Sequence, residues 1–241
     1  MRINGTISSI VSDTTNTGRS RTLLSLDIEN RYTDKKGIAV TRTTTVPMEA
    51  YDNVSKTVGK HKIGDTISVR CRFWTPRVMR GATTVYPVRI IVEGLDTGSA
   101  DTLHLEGRLT RKVTVKKTKG GYDRVFVALA ANRTYTKGGQ PITETNYIPI
   151  EAYGVAAHTL AAHAQGDLVH VVCRLQSNTE GSELPYRITC FAVQTPQAAN
   201  MDEPDMEDEV AQEEPDTEDT SVYEDAECDE EEIVYSATGP F

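Results

Sequence analysis

Three tyrosines and an arginine crowd one short stretch, Asn132–Gly154, which reads NRTYTKGGQPITETNYIPIEAYG. Tyr135, Tyr147 and Tyr153 are flat, weakly polar rings, and Arg133 is a cation beside them. Rings of this kind on a sheet surface stack against nucleobases for about 1–3 kcal/mol each, whatever the base. Nearby cations add phosphate contacts that also ignore sequence. Arg108, Arg111, Lys112 and Lys116 precede the stretch and are the candidates for that charge. Period-2 alternation places Ile148, Ile150 and Ala152 on one face of a strand, and Tyr147, Glu151 and Tyr153 on the other.

The same pattern occurs 102 residues earlier. Pro47, Glu49, Ala50 and Tyr51 match Pro149, Glu151, Ala152 and Tyr153, and the register continues through His61/His163, Gly64/Gly166 and Cys71/Cys173. Backwards it is taken to hold at Asn30-Arg31/Asn132-Arg133, Gly18/Gly120, Val11/Val113 and Gly5/Gly107. This is a tandem duplication of one small unit. In the first copy the candidate binding residues are Tyr32, Tyr51, Arg31, Trp74 and Arg72, with Thr45 at the position of Tyr147.

No catalytic constellation accompanies these rings. GxxxxGK[ST], HExxH and GxSxG are absent, and no Cys/His spacing suits a metal. His61 and His163 fall near expected helix ends with no recurring carboxylate partner, which suits capping. Glu49 and Glu151 occupy outward strand positions suited to salt bridges. The expectation is a protein that is not an enzyme and needs no cofactor.

Charge separates the chain into two unequal parts. All 26 Lys and Arg precede residue 201, whereas 18 of the 35 Asp and Glu lie in Met201–Phe241. The body therefore carries +9 and the tail −18, which together give the net −9. A basic body suits a polyanion, and an acidic block reads as a disordered interaction tail. The four cysteines form no CxxC pair; Cys71 and Cys173 read as small buried residues with free thiols. No apolar run is long enough for a membrane span, and a cytoplasmic, nucleoid-associated protein is expected, or one in a host cytoplasm if phage- or plasmid-encoded.

The elements that must position the rings are mostly strands. In the first copy the alternation predicts strands at Arg2–Val11, Thr22–Tyr32, Ile38–Tyr51, Thr66–Trp74 and Val85–Val92, with a helix over Asp52–Lys62. The second copy predicts Thr102–Val115, Tyr122–Tyr135, Ile142–Tyr153, a helix near Val155–Ala164, Leu168–Gln176 and Leu184–Val193. Pro47 and Pro149 inside strands call for an edge position or a bulge. Five strands with one helix between the third and fourth is the order of the OB-fold, a β-barrel. The expected architecture is all-β: OB-fold 1 over 1–95, a linker over 96–101, OB-fold 2 over 102–195 and a disordered acidic tail over 196–241.

With these residues in view, the second copy resembles bacterial single-stranded DNA-binding proteins. The resemblance rests on LHLEGRLTRKV, FVALAANRTYTKGGQPITETNYIPIEAYG and AQGDLVHVVCRLQ, and on an acidic tail ending in Pro-Phe. It covers about residues 103–194, and more weakly 2–93. It implies stacking roles for Tyr147, Tyr153 and Tyr135, with Tyr51 and Tyr32 in the first copy. It implies docking of replication and repair proteins on Pro240 and Phe241, although Ser236–Gly239 precede the tip where the family has acidic residues. It further implies a homodimer presenting four OB-folds, and single-stranded DNA as partner in replication, recombination and repair. The alternative is an OB-fold interaction or mediator module of recombination or primosome assembly.

Overall fold

A computed structural model gives the three-dimensional structure and describes residues 1–33, 37–81, 83–98, 102–178, 182 and 184–194. The acidic segment 196–241, including Cys228, Pro240 and Phe241, lies outside the described residues, as do Lys35 and part of the linker.

Thirteen strands and two helices follow one another in the described chain. They are β1 (Arg2–Thr14), β2 (Ser20–Thr33), β3 (Ala39–Tyr51), α1 (Asp52–Val58), β4 (Thr66–Trp74), β5 (Val78–Arg80), β6 (Thr83–Val85) and β7 (Arg89–Asp96). The second half holds β8 (Leu103–Leu109), β9 (Lys116–Lys117), β10 (Asp123–Lys137), β11 (Gln140–Tyr153), α2 (Gly154–Ala162), β12 (Leu168–Ser177) and β13 (Tyr186–Gln194).

Strands β1-β2-β3-β7-β4 close into a barrel, and β11-β13-β12-β8-β10 closes likewise through the β10–β11 pairing. Both are OB-folds with the helix between the third and fourth barrel strands, as the sequence implies. Alternation puts Leu24, Leu26, Val46, Met48 and Ala50 inside the first barrel and Val125, Val127, Leu129, Ile150 and Ala152 inside the second. Val58 and Leu160 from the helices complete these interiors. Cys71 and Cys173 are buried free thiols, as expected, and Cys190 is a third. The prolines are accommodated as edge residues: β3 meets β7 only at Glu49 and Ala50, so among the described residues no second neighbour pairs at Pro47. Pro149 is in the same situation, since β11 meets β13 only at Glu151 and Ala152.

Strand pairing corrects the repeat register in one place. Arg21 opposes Tyr51, whereas Arg124 opposes Tyr153, so β2 and β10 are offset by 103 rather than 102. Asn132-Arg133 is thus equivalent to Glu29-Asn30, not to Asn30-Arg31. The same shift makes Gly121 (φ 79°) the counterpart of Gly18 (φ 81°), in place of Gly120. The first copy has five residues between the paired positions Thr33 and Ala39, and the second has four between the equivalent Thr136 and Pro141, which returns β11 to the 102 offset. Val11 and Val113 are likewise not equivalent, being 61% and 5% exposed. β1 continues to Thr14, while β8 stops at Leu109 and the chain leaves the barrel wall. Gly5/Gly107 does hold. Its cause is close approach, because a Cβ on Gly5 would sit 2.8 Å from the Asp27 carbonyl oxygen and one on Gly107 3.1 Å from that of Ala130.

The first copy also contains an unexpected hairpin, β5–β6, between β4 and β7. It makes that connection four residues longer than in the second copy, so Arg89 corresponds to Arg187.

The two barrels meet along a seam with internal two-fold character. Thr44 Oγ1 meets Ser177 Oγ at 3.1 Å, and Ser177 Oγ donates to Thr43 O at 2.8 Å. The corresponding positions are Asn146 and Thr75. There Thr75 N donates to Asn146 Oδ1 at 2.8 Å, and Tyr147 N donates to Thr75 Oγ1 at 2.8 Å. Equivalent surfaces thus contact each other reciprocally, as in an isologous dimer joined into one chain.

Candidate nucleic-acid interface

The outer wall of the second barrel gathers rings and cations from six strands, β8 to β13. Pairing sets the rows. Arg108 on β8 and Tyr147 on β11 flank Ala130 of β10. Lys116 on β9 and Tyr153 on β11 flank Arg124 of β10. Phe126 opposes Glu151, which pairs with Thr189 of β13, which pairs with Arg174 of β12. Neighbouring strands lie about 5 Å apart, so each row spans only a few nucleotides. Tyr147 is 42% exposed, Phe126 38% and Phe191 47%. The Arg174 guanidinium lies over the Phe191 ring, 4.8 Å from its centre.

Tyr153 is half-buried and held by its own hydroxyl, which donates to Glu151 Oε2 at 2.7 Å. Glu151 also accepts from Arg124 at 2.6 Å and lies 3.9 Å from Arg187. The predicted salt bridge is therefore present, but on a buried carboxylate. Burial, followed by the hydrogen bond to Glu151, pushes the Tyr153 phenol up from its ordinary pKa. The first barrel repeats the arrangement, with Tyr51 donating to Glu49 at 2.5 Å and Arg89 3.5 Å from the same carboxylate.

The candidates nevertheless separate. Arg108, Lys112 and Lys116 are exposed; Arg108 donates to Gly166 O and Arg111 to Phe126 O, each at 2.9 Å. Tyr135 and Arg133 do not join the wall. They sit on odd β10 positions, in phase with the buried Val127 and Leu129, while the outward residues Phe126 and Ala130 are even. They face the other side of the β10–β11 hairpin, with the Arg133 guanidinium 5.4 Å from the Tyr135 ring and 3.8 Å from Glu93 of the first barrel.

In the first barrel, several expected ligands are committed to the protein itself. Trp74 donates its ring N–H to Glu144 at 2.6 Å and has Arg89 over its face at 5.7 Å, so it belongs to the seam. Arg72 lies 3.3 Å from Glu93. The Tyr51 ring is covered by Arg19 at 5.2 Å. Tyr32 is 38% exposed with Arg42 beside it at 5.7 Å, while Arg31 points from the opposite face to Glu29.

Position by position, the first barrel lacks the second barrel's open rings. Leu23 stands where Phe126 does, Thr45 where Tyr147 does, and Glu93 where Phe191 does. The Arg174–Phe191 contact is replaced by the Arg72–Glu93 ion pair. The sequence reading missed Phe126, Phe191, Arg124, Arg174 and Arg187. Plain alternation puts Arg174 in phase with His170 on β12 and Arg187 in phase with Phe191 on β13, but the bulge that leaves Phe191 between Cys190 and Ala192 without a partner on β12 is silent in the sequence.

The histidines also require a correction. A carboxylate does recur with them: His61 lies 3.4 Å from Asp65 and His163 3.5 Å from Asp167. Asp65 and Asp167 each accept from a backbone N–H three residues earlier, so these pairs close a turn. Among the described residues there is no group of three or more His, Cys, Asp or Glu able to hold a metal ion. No described helix is long and apolar enough to cross a membrane.

Comparison with known proteins fits this geometry. The model of the Single-strand binding protein family matches residues 101–183. The crystal structure of the single-stranded DNA binding protein from Thermus aquaticus superposes with a TM-score of 0.67, at 19% identity, over 81% of this chain and 91% of that one. A deletion mutant of the same protein gives the same TM-score and identity over 88% of this chain and 96% of that one. No curated protein matches the sequence. The sequence of the second barrel is thus similar to the single-strand binding protein family over residues 101–183, and the two-barrel chain shares its fold with the Thermus aquaticus protein.

Proposed function

We propose that this chain is a non-enzymatic, sequence-independent binder of single-stranded DNA, with the second barrel as its principal stacking wall. The observation that carries this reading is the asymmetry between equivalent positions. Phe126, Tyr147 and Phe191 are open in the second barrel, where Leu23, Thr45 and Glu93 stand in the first. Core packing requires no such rings on an outer wall. Bases held by their faces, with phosphates near Arg108, Lys116, Arg124 and Arg174, require both components. Tyr135 with Arg133, and Tyr32, are secondary contacts at the hairpin arms.

The protein acts on single-stranded DNA during replication, recombination and repair. Its domains are 1–95 and 102–195, and the acidic segment 196–241 recruits protein partners through Pro240 and Phe241. A homodimer presents four barrels. The test is a fluorescence titration with oligo-dT. Y147A combined with Y153A should weaken binding at least about 10-fold, from the stacking magnitudes, while Y223A with Y235A in the tail should not. Equal effects reject the wall. Affinity should also fall steeply with salt.

A further inference from the structure

Tyr86 matches none of the binding positions considered so far, yet it stands where the two barrels meet. It follows β6 and is 43% exposed. Its ring centre lies 5.8 Å from that of Tyr147, with the planes at 68°. The two rings come from different barrels, and both are open. An edge-to-face pair leaves the flat face of one ring unoccupied and fixes how it points. The pair is held in place by the seam. Tyr147 N donates to the buried Thr75 hydroxyl of the first barrel, and Thr75 N donates to Asn146 beside Tyr147. No Asp or Glu lies between Thr75 and Val92, and the exposed Arg77 adds a positive charge to the same connection.

The reciprocal corner of the seam differs. Thr45 takes the place of Tyr147, and its hydroxyl donates to Asp27 at 2.7 Å. That corner offers a carboxylate and no ring at this position. A polyanion crossing from one barrel to the other meets a stacking pair at one corner and a carboxylate at the other.

We propose that Tyr86 and Tyr147 form a composite stacking site across the seam, which carries a single DNA strand from the second barrel to the first by that corner. This inference rests on the single-strand reading above and adds the route of the strand. Tyr86 is needed only by a ligand long enough to touch both barrels. One OB-fold takes about 4–16 nucleotides.

The test is Y86A in the full chain, titrated with dT of about 8 and about 30 nucleotides. The expected result is about a 10-fold loss on the long oligonucleotide, little change on the short one, and recovery of long-strand binding by Y86F. An unchanged affinity for the long strand overturns the crossing site. So does an equal loss at both lengths, or a Y86F variant as weak as Y86A. If the wild-type protein binds neither oligonucleotide, the single-strand reading itself falls, and the crossing site with it.

Discussion

The Tyr153 hydroxyl donates to Glu151, two residues back on the same strand face, and Tyr51 does the same to Glu49. In each barrel an arginine of the last barrel strand, Arg187 or Arg89, flanks the same carboxylate. The duplication has therefore preserved a three-residue clasp as well as a ring. Its effect is to fix the tyrosine by the hydroxyl end, leaving the ring's presentation set by protein rather than by ligand. In the first barrel Arg19 covers that ring, and in the second it borders the open wall.

The clasp implies an alkaline sensitivity. Burial and the Glu49 charge push the Tyr51 phenol well above its ordinary pKa, and Tyr153 is pushed up less, by burial and its hydrogen bond to Glu151. A folded pKa above the unfolded one means that this stability is fully present below about pH 10 and lost as pH rises beyond it. Urea unfolding between pH 8 and 11 should show wild type losing stability faster than Y51F. Parallel slopes would show that Tyr51 ionises as freely in the native state as in the unfolded chain.

A second expectation concerns the seam. Asn146 accepts from the buried Thr75 amide, and its removal leaves that donor unsatisfied. N146A should therefore cost about 1–3 kcal/mol. In the reciprocal contact, S177A at an exposed residue, the counterpart of Thr75, should cost less than about 1 kcal/mol. Calorimetry checks both, and N146A should broaden or split the transition as the barrels decouple.

The repeat and the alternation made most of this fold readable. Inward residues such as Ile150 and Ala152 and outward ones such as Tyr147 follow directly from a period of two. Three features were hidden by physics that leaves no local mark. The single-residue offset of β2 against β10 is compensated in the β2–β3 loop, so residue matching across Asn30 and Asn132 looked better than the strand pairing allows. The bulge in β13 leaves Phe191 without a partner on β12 and sets its ring under Arg174, a contact that no local signal announces. Trp74 looked like a stacking ring because composition does not report that its N–H is satisfied by Glu144, 70 residues away in the other barrel. Legibility ended where long-range contacts began.

The helix entry offers a direct test of backbone strain. Gly154 opens α2 with φ 54°, and its counterpart Asp52 has φ 52°. An L side chain in this left-handed region costs roughly 1–2 kcal/mol, less for Asp than for Ala. G154A should thus destabilise the protein by about 1 kcal/mol. D52G relieves the strain but loses an Arg19 ion pair at a half-exposed site, worth up to about 1 kcal/mol, so it should be near neutral. Thermal denaturation separates the two; a neutral G154A would mean that the helix start readily adopts another conformation.

The sharpest functional contrast lies in a pair of equivalent positions that carry different chemistry. Phe191 offers a ring capped by Arg174, and Glu93 offers a charge neutralised by Arg72. Removing the ring with F191A should weaken oligo-dT binding about 5- to 10-fold, from the loss of one stacked base, and should uncover Arg174 without unsatisfying a buried group. E93Q removes a carboxylate charge that also lies 3.8 Å from Arg133, so both arginines present more net positive charge to phosphate. Binding by E93Q should therefore be unchanged or tighter, with a steeper dependence on salt. Fluorescence titration across a salt series reads both variants. A loss in E93Q as large as that in F191A would place the strand on the first barrel's wall as much as the second's, and the asymmetry between the barrels would have no bearing on where bases stack.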